Sequence, residues 1–250
     1  MRFKTDGLIL QEQTIKENDK LVTVLTRSDG IIRCFVRNAK LLKGRLCTAT
    51  QTLSYSRLSV YHGRDRYIID EAEPVELFFD LRLDLEKLSI GQYFCELAMY
   101  LIPEGSASDE YLSLILNSLY LLAKGTKPVL QIKAVFEMRF MSIAGFMPDL
   151  VCCDKCKCYE SDTMHFLYYE GKLLCNNCFR GENYSIALSK GAVAAMRTAV
   201  FAAPKKIFSF ALSEKSLYQF AECAENYTLM RSERKMNALE FYKKVRNNNL

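Results

Sequence analysis

The sequence has no long apolar run and no tryptophan, and it has only two histidines and five prolines. No segment approaches the roughly 18 consecutive apolar residues that a membrane-spanning helix needs. The opening segment, MRFKTDGLIL, is too short and too polar for a secretory signal peptide. We therefore expect a cytoplasmic protein. In that reducing compartment, its ten cysteines indicate free thiols or a metal site rather than disulfides.

Recognisable catalytic motifs are also missing. The sequence contains no GxxxxGK[ST] phosphate loop, no GxSxG nucleophile turn and no HExxH metal-binding helix. Its acidic residues form no pair that matches a metal-dependent nuclease. The sequence therefore favours a binding protein over an enzyme, and an undetected nuclease or transferase is one alternative.

Composition indicates a folded chain with a real core. Hydrophobic residues make up 50% of the sequence and charged residues 25%, which argues against disorder. The net charge is +5, but residues 1–70 alone carry 13 Lys and Arg against 7 Asp and Glu. The positive charge is therefore concentrated in the first third of the chain.

That first third is predicted to form five short antiparallel strands. The predicted strands are Thr5–Gln11, Lys20–Thr26, Ile31–Arg37, Thr52–Tyr61 and Arg66–Ala72. Five strands in so short a segment favour an OB-fold barrel over residues 1–78, with an SH3-like barrel as the alternative.

Helical periodicity begins after Pro74 and predicts an all-α domain over residues 79–250. The predicted helices are Asp84–Ile102, Ser108–Lys124, Pro128–Ala144, Ser189–Phe201 and Glu214 to about Arg246, with a break near Arg231. The predicted fold class is therefore α+β: an N-terminal five-stranded OB-fold barrel followed by an all-α domain. That domain carries a small zinc-binding module at about residues 151–180.

The module is predicted from two CxxC pairs, Cys153 with Cys156 and Cys175 with Cys178. A CxxC turn places two thiolates about 2.3 Å from one zinc ion, and two such turns complete a tetrahedral shell. Because four thiolates leave no open position for a substrate, we expect one structural zinc ion per chain. Redox chemistry would need only one pair, usually at the start of a helix in a thioredoxin-like unit.

Other residues near the pairs leave alternatives open. Cys152 and Cys158 each stand beside a ligand candidate, and His165 lies in the spacer and offers a nitrogen ligand. A set of ordinary buried cysteines is the alternative to a metal site. The spacer itself is predicted to form a strand, a turn at Gly171 and a second short strand, as in a zinc ribbon. Nearby Lys155, Lys157 and Lys172 are expected to offset part of the thiolate charge, with backbone N–H groups supplying the rest.

The third predicted strand separates apolar from basic side chains. Ile32, Cys34 and Val36 alternate with Arg33, Phe35 and Arg37, so the two sets point to opposite faces. Basic side chains neutralise phosphates, and flat rings stack on unpaired bases. The predicted DNA-binding residues are Arg33, Phe35, Arg37, Lys40, Lys43, Arg45 and Arg57. The alternative is a solvated loop with rings, such as Phe35, Tyr55 and Tyr61, in the barrel core.

In their order and spacing, these features resemble the bacterial RecO recombination-mediator family. The segments that carry the resemblance are TDGLIL (5–10), ENDKLVTVLT (17–26), FEMR (136–139) and GFMPDL (145–150). In the family pattern the first metal ligand follows the proline by five residues, which here runs from Pro148 to Cys153. Some members of the family lack the cysteines, so zinc does not define their activity.

The resemblance implies a nucleoid-associated mediator of DNA repair and recombination. Such proteins bind single- and double-stranded DNA, anneal complementary strands, and help load the recombinase RecA together with RecR. They also engage the acidic, apolar-tipped C-terminal tail of single-strand-binding protein. We expect that tail to dock on the predicted helix at Lys133, Phe136 and Arg139, unless its apolar residues fill the helical core. Another alternative is a zinc-ribbon adaptor or regulator that acts on RNA or duplex DNA.

Overall fold

The computed structural model describes residues 1–15, 18–37, 45–64 and 66–248, without the side chains of Arg45 and Asn248. Five strands form a closed barrel in the order β1-β2-β3-β5-β4. The strands are β1 (Arg2–Thr14), β2 (Lys20–Thr26), β3 (Ile31–Val36), β4 (Tyr55–His62) and β5 (Tyr67–Glu76). β3 and β5 pair in parallel, and the other pairs are antiparallel. The five predicted strands are therefore present, although β1 and β5 are longer than expected and the prediction that all pairs are antiparallel is wrong for β3 and β5.

Side chains that alternate along each strand fill the interior of the barrel. Every second residue of β3, namely Ile32, Cys34 and Val36, lies in a cluster with Val22, Val24, Leu58 and Val60. The intervening Arg33 is exposed and Phe35 is half-buried outside this cluster. The alternation predicted from the sequence is thus confirmed, and the placement of the Phe35 ring in the barrel core is excluded.

Between β3 and β4 the chain forms a short helix, α1 (Arg45–Ala49), that the sequence did not predict. Its carbonyl groups accept hydrogen bonds from the start of β4 and the turn before it. Ser56 Oγ donates to Ala49 O at 2.8 Å, and Ser54 Oγ donates to Thr48 O at 3.1 Å. These two buried serines therefore attach α1 to the barrel.

Three longer helices complete the first of two compact units, which comprises residues 1–123 and 236–250. They are α2 (Leu85–Leu101), α3 (Asp109–Lys124) and α7 (Asn237–Asn248), and a 3-10 helix (Phe79–Leu83) precedes α2. Asp84 begins α2 because its carboxylate accepts the N–H groups of Glu86 and Lys87. Glu96 on α2 likewise accepts the N–H groups of Asn237 and Ala238 at the start of α7.

The second compact unit comprises residues 124–235. Its helices are α4 (Val129–Ile143), α5 (Lys190–Phe201) and α6 (Glu214–Ser232). Its strands are β6 (Asp149–Cys153), β7 (Thr163–Leu167), β8 (Lys172–Cys175) and β9 (Ser185–Ser189), in the sheet order β6-β8-β7-β9. The predicted hairpin in the spacer is present as β7 and β8, and it gains β6 and β9 as neighbours. The break predicted near Arg231 falls at Glu233, whose left-handed backbone (φ 51°) ends α6.

The compact units do not divide the chain at residue 78, where the sequence suggested a domain boundary. Helices α2, α3 and α7 belong to the same unit as the barrel, and the module with the cysteine pairs belongs to the other. The boundary between residues 78 and 79 therefore stays a prediction. Within the described part of the chain, each helix is too short or too polar to cross a membrane.

Candidate metal centre and nucleic-acid face

The cysteine pairs lie in two tight turns that follow strands. Cys153 ends β6 and Cys156 stands in the turn after it, while Cys175 ends β8 and Cys178 follows. The first turn is closed by a 2.8 Å hydrogen bond from Cys153 N to Cys158 O, and the second by a 3.0 Å bond from Cys178 N to Cys175 O. Lys157 adopts a left-handed φ of 62°, which lets the first turn reverse within a few residues.

The two turns bring four sulfur atoms together. The Sγ atoms of Cys153, Cys156, Cys175 and Cys178 all lie within 4.8 Å of one another, and those of Cys156 and Cys175 are 3.6 Å apart. A tetrahedral zinc–thiolate site, with bonds of about 2.3 Å, separates its sulfurs by about 3.8 Å. The group therefore has the donor type, number and spacing of a closed metal site.

Backbone N–H groups favour the charged form of the first thiol. Burial disfavours the Cys153 thiolate, but hydrogen bonds from the backbone of Cys156, Cys175 and Lys155 outweigh it and lower its pKa to about 6. The nearby lysines act less directly than the sequence suggested. Lys155 pairs with Glu182 at 2.8 Å, and Lys157 and Lys172 both pair with Asp154. The backbone is thus the more direct source of charge compensation.

The alternative ligands stand outside the group of four in the described part of the chain. His165 stacks on the Phe179 ring with centres 3.7 Å apart and contacts Asn176 Oδ1 through Nε2. Cys152 is half-buried and is not a member of the group. The Cys158 thiol lies beside Cys156 and Cys175, and hydrogen bonding to Cys156 is the main reason that its pKa rises to about 12. The choice of Cys153 over Cys152 therefore agrees with the geometry.

Arg197 on α5 holds the metal-site loops in place, and the sequence offered no motif that singled it out. Its guanidinium donates to the carbonyls of Leu150 at 2.7 Å, Val151 at 3.0 Å and Tyr159 at 2.8 Å. It also lies 4.0 Å from the centre of the Tyr159 ring. One cation thus joins the two chain segments on either side of the first cysteine turn.

A second site lies on the outside of the barrel. A cavity of about 160 Å³ opens where β3 ends and β5 begins, and its lining includes Phe35 and Arg37. The Arg66 guanidinium carbon lies 5.5 Å from the centre of the Phe35 ring. The lining also includes Ile15, Asp19, Val36 and Ile68. The parallel register that sets Phe35 opposite Ile68 brings these residues together.

The structure places two other predicted DNA-binding residues, Arg33 and Arg57, away from this cavity. Arg33 lines a different cavity of about 150 Å³ that also contains Glu104. Arg57 stands in register between Asp6 and Glu73 on the neighbouring strands. Because carboxylates flank it on both sides, we expect Arg57 to contribute less to phosphate binding than Arg37, and its role stays a prediction. Lys40 and Lys43 lie outside the described residues, as does the side chain of Arg45, so their roles stay predictions.

Charge on the barrel is uneven. The excess of +6 over residues 1–70 is reduced when β5 is followed to its end, because Glu71, Glu73 and Glu76 add three negative charges. Asp6, Arg57, Glu71 and Glu73 line a common cavity with Lys4. The barrel therefore has an acidic region near the end of β5, and the cavity at Phe35 lies at the other end of that strand.

Comparison with known proteins decides the family. The family model described as "Recombination protein O N terminal" matches residues 1–78, and the one described as "Recombination protein O C terminal" matches residues 82–239. The chain belongs to the RecO family. The curated DNA repair protein RecO of Acetivibrio thermocellus is 31% identical over 241 residues, which cover 96% of each chain. That of Symbiobacterium thermophilum is 28% identical over 98% of each chain, and that of Alkaliphilus metalliredigens is 30% identical over 76% of this chain and 77% of the relative.

In this RecO-family chain, the helix expected to bind a partner is mostly buried. Lys133 and Phe136 on α4 are both 0% exposed, and Lys133 forms ion pairs with Glu137 at 2.7 Å and Glu225 at 2.9 Å. Arg139 is half-buried and donates to Val200 O. Because a peptide cannot reach Lys133 or Phe136 in this conformation, the expectation that they form a docking surface is wrong. The core alternative describes α4 better.

Proposed function

We propose that this RecO-family protein is a DNA repair and recombination mediator. It binds and anneals single-stranded DNA, and it helps load the RecA recombinase onto DNA covered by single-strand-binding protein. The observation that carries the proposal is the aromatic and basic cavity at the barrel end, formed by Phe35, Arg37 and Arg66. Family membership supports the assignment to DNA repair.

The position of the cavity supports an OB-fold mode of binding. OB-folds bind oligonucleotides on the face of strands 2 and 3 and with the loops that connect strands 1–2 and 4–5. Here Ile15 and Asp19 come from the β1–β2 connection, Arg66 comes from the β4–β5 connection, and Phe35 comes from β3. We therefore infer that the barrel is an OB-fold, which the closed five-stranded order supports.

We also propose that the four cysteines bind one zinc ion. The donor set is all thiolate, which suits zinc, and four ligands leave no position open for a reacting molecule. When bound, the ion supplies only a cross-link between the turns after β6 and β8. Cys153 and Cys175 are buried at the ends of their strands, so the module is built to hold the ion in a fixed place.

Annealing follows from the charge on the binding face. Two complementary strands repel each other through their phosphates, and a protein that neutralises phosphates lowers that repulsion without a chemical step. A binding face that stacks one base leaves the base edges of neighbouring nucleotides exposed for pairing. The proposed partners are single- and double-stranded DNA, RecR, the tail of single-strand-binding protein and, through them, RecA at the nucleoid.

The test is annealing of two complementary oligonucleotides without ATP and without added divalent metal. We expect the protein to accelerate annealing and to leave both strands intact. Strand cleavage that depends on added metal would instead indicate a nuclease, and selective binding of structured RNA would indicate the adaptor. A parallel pull-down with purified RecR and single-strand-binding protein, using a tail-deleted version as the control, tests the proposed partners.

A further inference from the structure

We propose that the cavity beside Phe35 accepts one unpaired nucleobase from a single DNA strand and stacks it on the Phe35–Arg66 pair. The inference rests on the proposed function, because it names the chemical group that the DNA-binding face recognises. It also assigns a role to Arg66, which lies at the start of a predicted strand and had no role in the sequence-based site.

Size is the first observation in favour of a base. The cavity has a volume of about 160 Å³ and opens to the surface of the barrel. An apolar protein cavity of about 150 Å³ holds a benzene molecule, so a space of this size admits one flat ring. Ile15, Phe35 and Ile68 provide the apolar surface that such a ring would cover.

The arrangement of Phe35 and Arg66 is the second observation. The guanidinium carbon lies 5.5 Å from the ring centre, which is within the distance of a cation–π contact. Unpaired bases stack both on aromatic rings and on the plane of an arginine guanidinium. Because Phe35 belongs to β3 and Arg66 leads into β5, the parallel pairing of these strands holds both parts of the platform together.

Charge is the third observation. Among the residues that the structure describes, the charged ones in the lining are Arg37, Arg66 and Asp19, which together carry a net charge of +1. The two arginines supply positive charge for the phosphates on either side of an inserted base. Two other cavities on the barrel lack this combination. The one at Arg33 has no aromatic ring in its lining, and the one at Arg57 has three acidic residues and two basic ones.

Insertion of a base also implies a preference for single strands. A base in a duplex must unpair and unstack before it can enter a cavity, and this costs free energy. An unpaired base in a single strand avoids most of that cost. An acidic peptide with an apolar end could contact the same arginines and isoleucines. The planar Phe35–Arg66 platform favours a base over such a peptide, because a peptide end gains little from a flat stacking surface.

The first experiment compares oligothymidine of about 12 nucleotides, a length within the OB-fold range, with an abasic strand of the same length. Phe35→Leu keeps an apolar side chain but removes the aromatic ring. Arg66→Lys keeps the positive charge but removes the planar guanidinium group. We expect Phe35→Leu to weaken oligothymidine binding by at least about fivefold, the lower end of base-stacking contributions. Arg66→Lys should weaken it in the same direction. Neither variant should change binding of the abasic strand, because its phosphates remain.

The second experiment uses the absence of tryptophan from the chain. Phe35→Trp creates a single tryptophan at the cavity, which can be excited selectively over the tyrosines, and a base stacked against it should quench its emission. We expect quenching by oligothymidine and none by the abasic strand. A fluorescence change with an acidic, apolar-ended peptide, and none with oligothymidine, would assign the cavity to a peptide and overturn the proposal.

The outcomes separate this inference from the proposed function. Wild-type protein that binds the two strands equally would leave the DNA-binding role standing and overturn the base site. The same conclusion follows if folded Phe35→Leu and Arg66→Lys proteins bind oligothymidine with wild-type affinity. Wild-type protein that binds neither strand would contradict the DNA-binding role itself, and with it the base site.

Discussion

At the scale of single residues, the metal site depends on sulfur atoms that each hold one corner of a tetrahedron. Replacing Cys175 by Ser removes a soft, buried donor from the end of β8. We expect this variant to lose its zinc and to unfold at lower temperature, because binding of a structural metal contributes to the folding free energy. Elemental analysis and thermal melting measure the two effects.

Cys152→Ser is the matched control, since Cys152 adjoins Cys153 in sequence but stands outside the group of four. It should retain one zinc ion per chain. X-ray absorption of the wild-type protein should show sulfur ligands alone. A nitrogen ligand would implicate His165, and a folded wild-type protein that never binds metal would contradict the proposed site.

A second prediction at this scale concerns the buried lysine on α4. Lys133 is fully buried and pairs with Glu137 and Glu225, so Lys133→Met removes one member of a buried ion pair. Removing one partner of a buried ion pair typically costs about 3–5 kcal/mol. Urea unfolding should show a loss of that order, whereas Lys215→Met on the exposed side of α6 should cost little. A change in DNA or peptide affinity without a loss of stability would instead restore Lys133 as a surface contact.

At the scale of secondary-structure elements, Arg197 connects helix α5 to the loops that carry Cys153 and Cys156. Its hydrogen bonds reach the carbonyls of Leu150, Val151 and Tyr159. Arg197→Ala should cost about 1.5–3 kcal/mol, the contribution of a hydrogen bond from a charged donor. We also expect faster release of the metal to a chelator, because the first cysteine turn is then held less firmly.

Lys190→Ala is the control for this effect. Lys190 lies on the same helix, but it is exposed and pairs with the exposed Asp162. Its replacement should leave the rate of metal release unchanged, since surface ion pairs contribute little. Equal release rates for the two variants would show that α5 does not position the cysteine turn.

The secondary-structure elements also show how much of the fold could be predicted from the sequence. β2 was predicted with its observed bounds, because its apolar residues and the turn at Ser28–Gly30 are both local signals. Helix α1 and strands β6 and β9 were not predicted. α1 has only five residues, and β9 is recognised only through its pairing with β7. The local pattern of apolar and polar residues therefore predicted the longer helices and strands. The short elements that were missed could not be predicted, because they depend on contacts with segments that are distant in sequence.

The candidate sites show the same limit. The four cysteines were identified because the CxxC spacing is itself a local geometric rule. The cavity at Phe35 was only half predicted, since Arg66 becomes a neighbour of Phe35 through the β3–β5 pairing. The charged surroundings of Arg57 could not be predicted for the same reason. Its acidic neighbours, Asp6 and Glu73, lie on other strands and are not visible from its own segment.

At the scale of the whole molecule, the two compact units carry different parts of the proposed activity. The unit with the barrel carries the aromatic and basic cavity, and the unit of residues 124–235 carries the metal centre. We therefore expect zinc loss to affect the stability of the second unit more than the affinity of the barrel for short oligonucleotides.

The central claim is that phosphates of single-stranded DNA are bound at the Phe35 end of the barrel, and a salt titration tests it most directly. Each phosphate contact contributes about −0.7 to the slope of log affinity against log salt on single strands. Arg37→Ala should therefore make the slope less negative by about 0.7, while Arg57→Ala should leave it unchanged because Asp6 and Glu73 flank that side chain. A folded Arg37→Ala protein with the wild-type slope, together with a reduced slope for Arg57→Ala, would place the DNA on the opposite end of β5 and contradict the claim.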